Sequence, residues 1–186
     1  NKYAKPLFDV YHGGGIYMSA AKNVSVANLT ASGNTYGIRA LSSFNLTMRN
    51  VTANRNVYAG LSVDVGTMRW RNVSASGNSI NVELPVNMTA DALLNHDIDV
   101  SNTIDYGYPV YFNYSVSTYT LNASNAPNAG MVMCVRCDNV TIRDINLSHA
   151  ASPAVLIAYT NRSRLINISL GAGAPYGLVM QASRWM

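Results

Sequence analysis

The sequence predicts an all-β fold, a right-handed parallel β-helix of about eight coils with about 22 residues per coil. Three observations carry that prediction. A short block recurs at fixed spacing, its residues alternate between apolar and polar with the period of a strand, and turn-forming clusters separate the copies.

The repeat is plain in the chain itself. Asn23-Val-Ser-Val-Ala-Asn-Leu-Thr returns as Asn45-Leu-Thr-Met-Arg-Asn-Val-Thr and again as Thr67-Met-Arg-Trp-Arg-Asn-Val-Ser. The second asparagine of the block, at Asn28, Asn50 and Asn72, advances by 22 residues each time, and Asn122, Asp144 and Asn167 follow with steps of 22 and 23.

A second block keeps step with the first. It runs Gly15-Ile-Tyr-Met-Ser, Gly37-Ile-Arg-Ala-Leu, Gly60-Leu-Ser-Val-Asp, Gly130-Met-Val-Met-Cys, Ala154-Val-Leu-Ile-Ala and Gly177-Leu-Val-Met-Gln, with Ile80-Asn-Val-Glu-Leu on the rung after Gly60. Within each block alternate residues share a face, as Ile16 with Met18 and Leu61 with Val63. Ser32-Gly-Asn-Thr and Ser76-Gly-Asn-Ser mark turns. Short strands repeating in register bury their apolar faces by stacking coil on coil, so that inward residues fill one continuous core.

The step from Asn72 to Asn122 is 50 residues, two coils and about six residues more. The excess predicts an insertion or enlarged coil at about 91–115 within a single domain spanning 1–186. Neither end carries a polar cap, so the chain is expected to belong to a longer one.

Composition narrows the function classes. Of 186 residues, 48% are hydrophobic and 12% charged, too apolar for a disordered chain and poor in charge for an ordinary globule. The net charge of +4 comes from scattered residues such as Arg39, Arg55, Arg69, Arg143 and Arg162, which form no nucleic-acid stripe. No apolar run is long enough to span a membrane.

Nothing calls for a cofactor or a metal. His12, His96 and His149 are far apart, and Asp97, Asp99 and Asp105 lack the spacing and the bidentate glutamate of a calcium loop. His12-Gly-Gly-Gly has no nucleophile turn to serve. Cys134 and Cys137 form either a local disulfide or two idle thiols.

Asp97-Ile-Asp-Val-Ser-Asn-Thr-Ile with Tyr108-Pro-Val-Tyr-Phe, then Gly130-Met-Val-Met-Cys and Asn139-Val-Thr-Ile-Arg-Asp-Ile-Asn-Leu, resembles the parallel β-helix repeats of NosD-like, carbohydrate-binding and sugar-hydrolase-type proteins. Such repeats occur in archaeal S-layer-like surface glycoproteins. The resemblance runs from about residue 12 to 183 and implies the fold. That fold hosts lyases, hydrolases, adhesins and structural proteins alike.

Twelve Asn-X-Ser/Thr sequons offer N-glycosylation acceptors in an exported chain. Asn28, Asn50, Asn72, Asn122 and Asn167 occupy the repeating position, where buried asparagines stacking as an amide ladder would leave no room for sugar. Asn23, Asn45, Asn87, Asn113, Asn139, Asn146 and Asn161 are the expected glycan sites.

The catalytic candidates are Asp64 and Glu83, outward carboxylates on neighbouring rungs about 5 to 8 Å apart, a separation glycosidases use, with Arg39 one rung before. The alternative is an exposed group of surface charges of little energetic weight. The apolar residues Val132, Leu156 and Val179 are expected in one outward column, covered either by the insertion or by another subunit.

The expected function is structural: an N-glycosylated extracellular or cell-surface protein of an S-layer, sheath or filament, self-assembling or packing on neighbouring domains, without a membrane span in this segment. The alternatives are a carbohydrate-binding or polysaccharide-cleaving module, and an adhesin or viral fibre.

Overall fold

Two strands make most of each coil, and they meet at a residue forced into the left-handed conformation. A computed structural model of the protein describes residues 13–84, 96–150, 153–171 and 176–183. In the first coil β1 (Gly14–Ser19) turns at Ala20 into β2 (Lys22–Thr30). In the second, β3 (Tyr36–Thr52) runs through its own corner at Ser42, where φ is 47°. β4 (Ala59–Val65) and β5 (Met68–Ala75) form the third, and β6 (Ile80–Glu83), β7 (Asp97–Ile98) and β8 (Thr103–Ile104) the fourth.

All pairing along this stack is parallel. Ile16, Ile38, Leu61 and Val82 lie one above another, as do Val26, Met48, Trp70 and Ile98. These inward columns make the core, with Ile38, Leu61, Met48 and Trp70 fully buried.

At Asn28, Asn50 and Asn72 the backbone again turns left-handed, with φ of 53° to 54°. There two successive residues, such as Arg49 and Asn50, both face outward. This is a bulge that bends the strand around the coil. Asparagine tolerates that conformation better than any other residue with a side chain apart from aspartate, which is why it recurs.

The chain then reverses. β9 (Tyr108–Tyr114) pairs antiparallel with β8 across a turn at Asp105, Tyr106 and Gly107, all at positive φ. From there a second stack rises in parallel. β9, β11 (Met131–Val135), β13 (Val155–Ala158) and β15 (Leu178–Gln181) form one side, and β10 (Ser117–Leu121), β12 (Asp138–Leu147) and β14 (Arg164–Leu170) the other. The whole is a parallel β-solenoid of about seven turns, about 22 residues apart, rather than the expected eight.

The core is accordingly two clusters and not one tube. Val132, Cys134, Val155 and Ile157 point into the second stack with Val140, Ile142 and Ile145. Their neighbours Met131, Met133, Val135, Leu156 and Ala158 point the other way and join the core of the first stack. Every residue of β11 is therefore buried. Cys134 and Cys137 form a disulfide across the corner at Arg136, with Cα atoms 6.0 Å apart.

The expected assembly face is corrected by this packing. Val132 is wholly buried in the second core, while Leu156, 3% exposed, and half-buried Val179 pack on the first. The column also fails by register. Val132 pairs with Val155, and Leu156 pairs with Met133 and Val179, so Val132 and Leu156 stand on opposite faces. Of the predicted insertion, 91–95 lies outside the described residues, 97–104 completes the first stack, and 108–114 opens the second.

Candidate functional site

Asparagines occupy two chemically distinct kinds of column. On the outside, Asn50 Nδ2 donates to Asn28 Oδ1 at 3.0 Å, and Asn72 Nδ2 to Asn50 Oδ1 at 3.0 Å. All three side chains are exposed rather than buried as expected, so the ladder lies in solvent. Asn45 Nδ2 donates to Asn23 Oδ1 at 2.8 Å, a second outer ladder built from two expected glycan sites.

In the second stack Asn167 Nδ2 donates to Asp144 Oδ1 at 2.9 Å, and that bond, with the Arg143 guanidinium, holds the Asp144 carboxyl below its ordinary value. Asn122 does not continue this ladder. Leu121 pairs with Ile142, which leaves Asn122 one position out of line with Asp144. Its side chain instead caps the following turn, its Oδ1 accepting from the Ser124 N–H at 2.9 Å.

Asn146 makes the same turn, accepting from the Ser148 N–H at 3.0 Å. Asn139 and Asn161 are exposed and Asn113 is half-buried on β9, while Asn87 lies outside the described residues. None of the eleven sequon asparagines in the described residues is buried.

The buried column is made of asparagines that carry no sequon. Asn56 and Asn78 are 2% and 6% exposed, and Asn81 not at all. Asn78 Oδ1 accepts from both the Asn56 N–H at 2.7 Å and Asn56 Nδ2 at 3.0 Å, while Asn78 Nδ2 donates to Ala53 O and Asn81 Oδ1, each at 2.9 Å. Asn56 Oδ1 accepts in turn from the Asn34 N–H at 3.0 Å. Asn81 closes the column by donating to Asp105 Oδ1.

The glycines of the second block face these amides. A Cβ at Gly60 would stand 2.6 Å from Asn78 Nδ2, and one at Gly37 2.8 Å from Asn56 Nδ2. Only glycine admits the polar column there. The signal for it was present as the 22-residue spacing of Asn34, Asn56 and Asn78, hidden among turn-like residues.

The catalytic candidates line a cleft of about 470 Å³ where the two stacks meet. Arg39 pairs with Ser62, and Ser62 with Glu83, so these three form one outward column. Asp64 stands two residues along β4 on the same lining. Both Glu83 oxygens are engaged, Oε2 by the Ser62 hydroxyl at 2.6 Å and Oε1 by the Tyr58 hydroxyl at 3.2 Å.

The Tyr58 ring lies 5.0 Å from Tyr36, and the Arg39 guanidinium sits 4.6 Å over Tyr36. Burial, then the charge of Glu83, push the Tyr58 phenol up from its ordinary value, which keeps it a donor to that carboxylate. Leu41, Val63, Leu84, Leu156 and Val179 supply an apolar floor. The cleft thus presents a tyrosine, an arginine and a carboxylate that is already tied down by its neighbours.

Asp97 and Asp99 converge on one guanidinium. Both pair with Arg71, at 2.5 and 3.0 Å. Among the described residues no helix is long and apolar enough to cross a membrane.

Comparisons with protein-family models, with curated proteins and with solved structures find no match.

Proposed function

We propose that this chain is a structural β-solenoid of the cell exterior, N-glycosylated at surface asparagines. One observation carries the proposal: sequon asparagines stand at the surface, and the buried asparagines Asn56, Asn78, Asn81 and Asn102 belong to no sequon. Ladder geometry alone demands asparagine at both kinds of place. It does not demand Ser or Thr two residues later only where the amide faces water. The hydroxyl residue falls on the outer face because a strand returns to the same face every second residue, and the residue between points inward, as Val51 does in Asn50-Val-Thr.

The Cys134–Cys137 disulfide fits an oxidising compartment. The resemblance to NosD-like repeats of archaeal surface proteins fits an S-layer, sheath or filament. Glycans would hydrate a surface with few charges and blunt exposed strand edges. The chain secreted by an N-glycosylating host is expected to run heavier than its peptide mass by several glycans. An intact mass equal to the bare polypeptide would overturn the proposal.

The cleft favours a second function, saccharide binding. A pair of tilted tyrosine rings, an arginine and a tethered carboxylate beside an apolar floor suit a sugar, whose hydroxyls need directional partners and whose ring faces need flat ones. Titration with oligosaccharides is expected to show binding that Tyr58→Ala weakens at least several-fold. Equal affinity in the variant would remove the cleft from the site.

A further inference from the structure

We propose that N-linked glycans on this chain are sorted by local geometry: they occupy the turn asparagines Asn122 and Asn146 and are excluded from the laddered Asn45, Asn50, Asn72 and Asn167. The inference rests on the chain being glycosylated at all. It reverses the expectation for Asn122, a supposed ladder member, and for Asn45, a supposed acceptor.

The glycan is bonded through Nδ2. Attachment breaks the bond between the anomeric carbon and the phosphate of a lipid-linked glycosyl donor, forms a carbon–nitrogen bond to Nδ2, and releases one amide proton to a base of the transferase. The Nδ2 atom must therefore be reachable, and the space around it must accept a pyranose with its substituents.

In the ladders Nδ2 faces solvent but is already engaged, and the space for a pyranose is missing. Each Nδ2 donates one coil down, Asn45 to Asn23 at 2.8 Å, Asn50 to Asn28 and Asn72 to Asn50 at 3.0 Å, and Asn167 to Asp144 at 2.9 Å. Coils repeat at about 4.8 Å, which is the only height available to each member of a column. A sugar on Asn50 has Asn28 directly beneath it and Asn72 directly above. Seating it means pushing an amide out of the column and breaking the bonds on both sides.

At Asn122 and Asn146 the arrangement is the opposite. The side-chain oxygen turns back to accept the N–H of the serine two residues on, Ser124 at 2.9 Å and Ser148 at 3.0 Å. Nδ2 has no hydrogen-bond partner among the described residues and no asparagine stacked on it. These bonds span two residues, whereas the ladders span 22 or 23. The turn forms in a short length of chain; the ladder waits for the next coil. The two turn sites thus present the same amide before and after the coils stack.

The folded surface also has room beside them. A hollow of about 280 Å³ is lined by Asn146, by Ala123 next to Asn122, and by Tyr108 and His149, whose rings stack at 3.6 Å. That ring pair offers a flat face to the apolar side of a first sugar.

Site-resolved glycopeptide mass spectrometry on the secreted chain tests this, together with Asn146→Gln and Asn50→Asp. The aspartate keeps the acceptor for Asn72, as Asp144 already does for Asn167. High occupancy at Asn122 and Asn146, several-fold lower occupancy at the four laddered sites, loss of one glycan mass in Asn146→Gln and no loss in Asn50→Asp are the expected results. Occupancy at the laddered sites equal to or above that at the turns overturns the sorting and leaves glycosylation standing. Bare asparagine at every sequon overturns glycosylation itself, and the sorting with it.

Discussion

Replacing Asn78 by alanine is expected to destabilise the fold by about 4 kcal/mol, from the roughly 1–3 kcal/mol each buried polar group costs when it loses its partner. The substitution orphans the Asn56 N–H and the Ala53 carbonyl, leaves Asn81 Oδ1 only the backbone N–H of residue 78 at 3.3 Å, and removes one of the two acceptors of Asn56 Nδ2, which keeps Ala31 O at 3.1 Å. Water entering the vacated space would moderate the loss. Even so the figure approaches the whole stability of an ordinary domain. The informative comparison is Asn50→Gly on the outer ladder, where glycine keeps the left-handed backbone and solvent replaces the lost amide bonds. Its cost is expected to stay near 1 kcal/mol. Urea denaturation of the two variants separates the cases, and equal losses would mean the inner column bears no special share of the stability. Should Asn78→Ala not fold, Asn56→Ala, which leaves the Asn78 Nδ2 bonds to Ala53 O and Asn81 Oδ1 and the residue-56 N–H bond to Asn78 Oδ1 in place, provides the intermediate point.

Those two asparagines also show where a sequence of this type is transparent and where it is opaque. The outer columns were legible because bulge, sequon and 22-residue spacing coincide at Asn28, Asn50 and Asn72. The depth of the ladder was not. An amide column inside and one outside have the same spacing and the same residue, and what tells them apart is the missing sequon and the glycines packed against Asn56 and Asn78. Strand positions were legible from alternation, but chain direction was not, since a strand pattern is the same whichever way the chain runs. The reversal at Gly107 therefore looked like surplus length. Aligning Gly130 with Ala154 placed Val132 beside Leu156, one residue from the true register of Val132 with Val155. A slip of one moves every side chain to the other face, which turned a core into a surface. Arg39, Glu83 and Asp64 were found as outward residues on neighbouring rungs, but the wall that makes them a cleft belongs to the second stack and was invisible without the reversal.

The reversal also buries His96, and the second large effect follows from it. His96 Nδ1 accepts the Met68 N–H at 3.0 Å, so the ring proton resides on Nε2, which has no hydrogen-bond partner among the described residues. The ring is 6% exposed and lies 6.0 Å from Phe112 of the second stack. Charging it there would place a cation in an apolar junction, and burial lowers its pKa from 6.5 to about 4. The unfolded chain binds the proton near pH 6.5 and the folded chain only near 4, so protonation favours unfolding throughout that interval. Stability is full above pH 6.5 and is lost as the pH falls, by about 2 kcal/mol at pH 5 and about 3 kcal/mol at pH 4, at 1.36 kcal/mol per pKa unit. Asn at position 96 keeps an acceptor for Met68 and cannot titrate. His96→Asn is therefore expected to lower stability at pH 7 and to flatten the profile between pH 6.5 and 4.5, above the range where the exposed Asp138 and Asp144, whose carboxyls are held below their ordinary value by Arg162 and by Asn167 and Arg143, begin to protonate. Denaturation curves of the two proteins across that interval decide the matter: converging stabilities as the pH falls locate the proton uptake at His96, whereas parallel curves would place it elsewhere and show the junction between the stacks to be indifferent to charge.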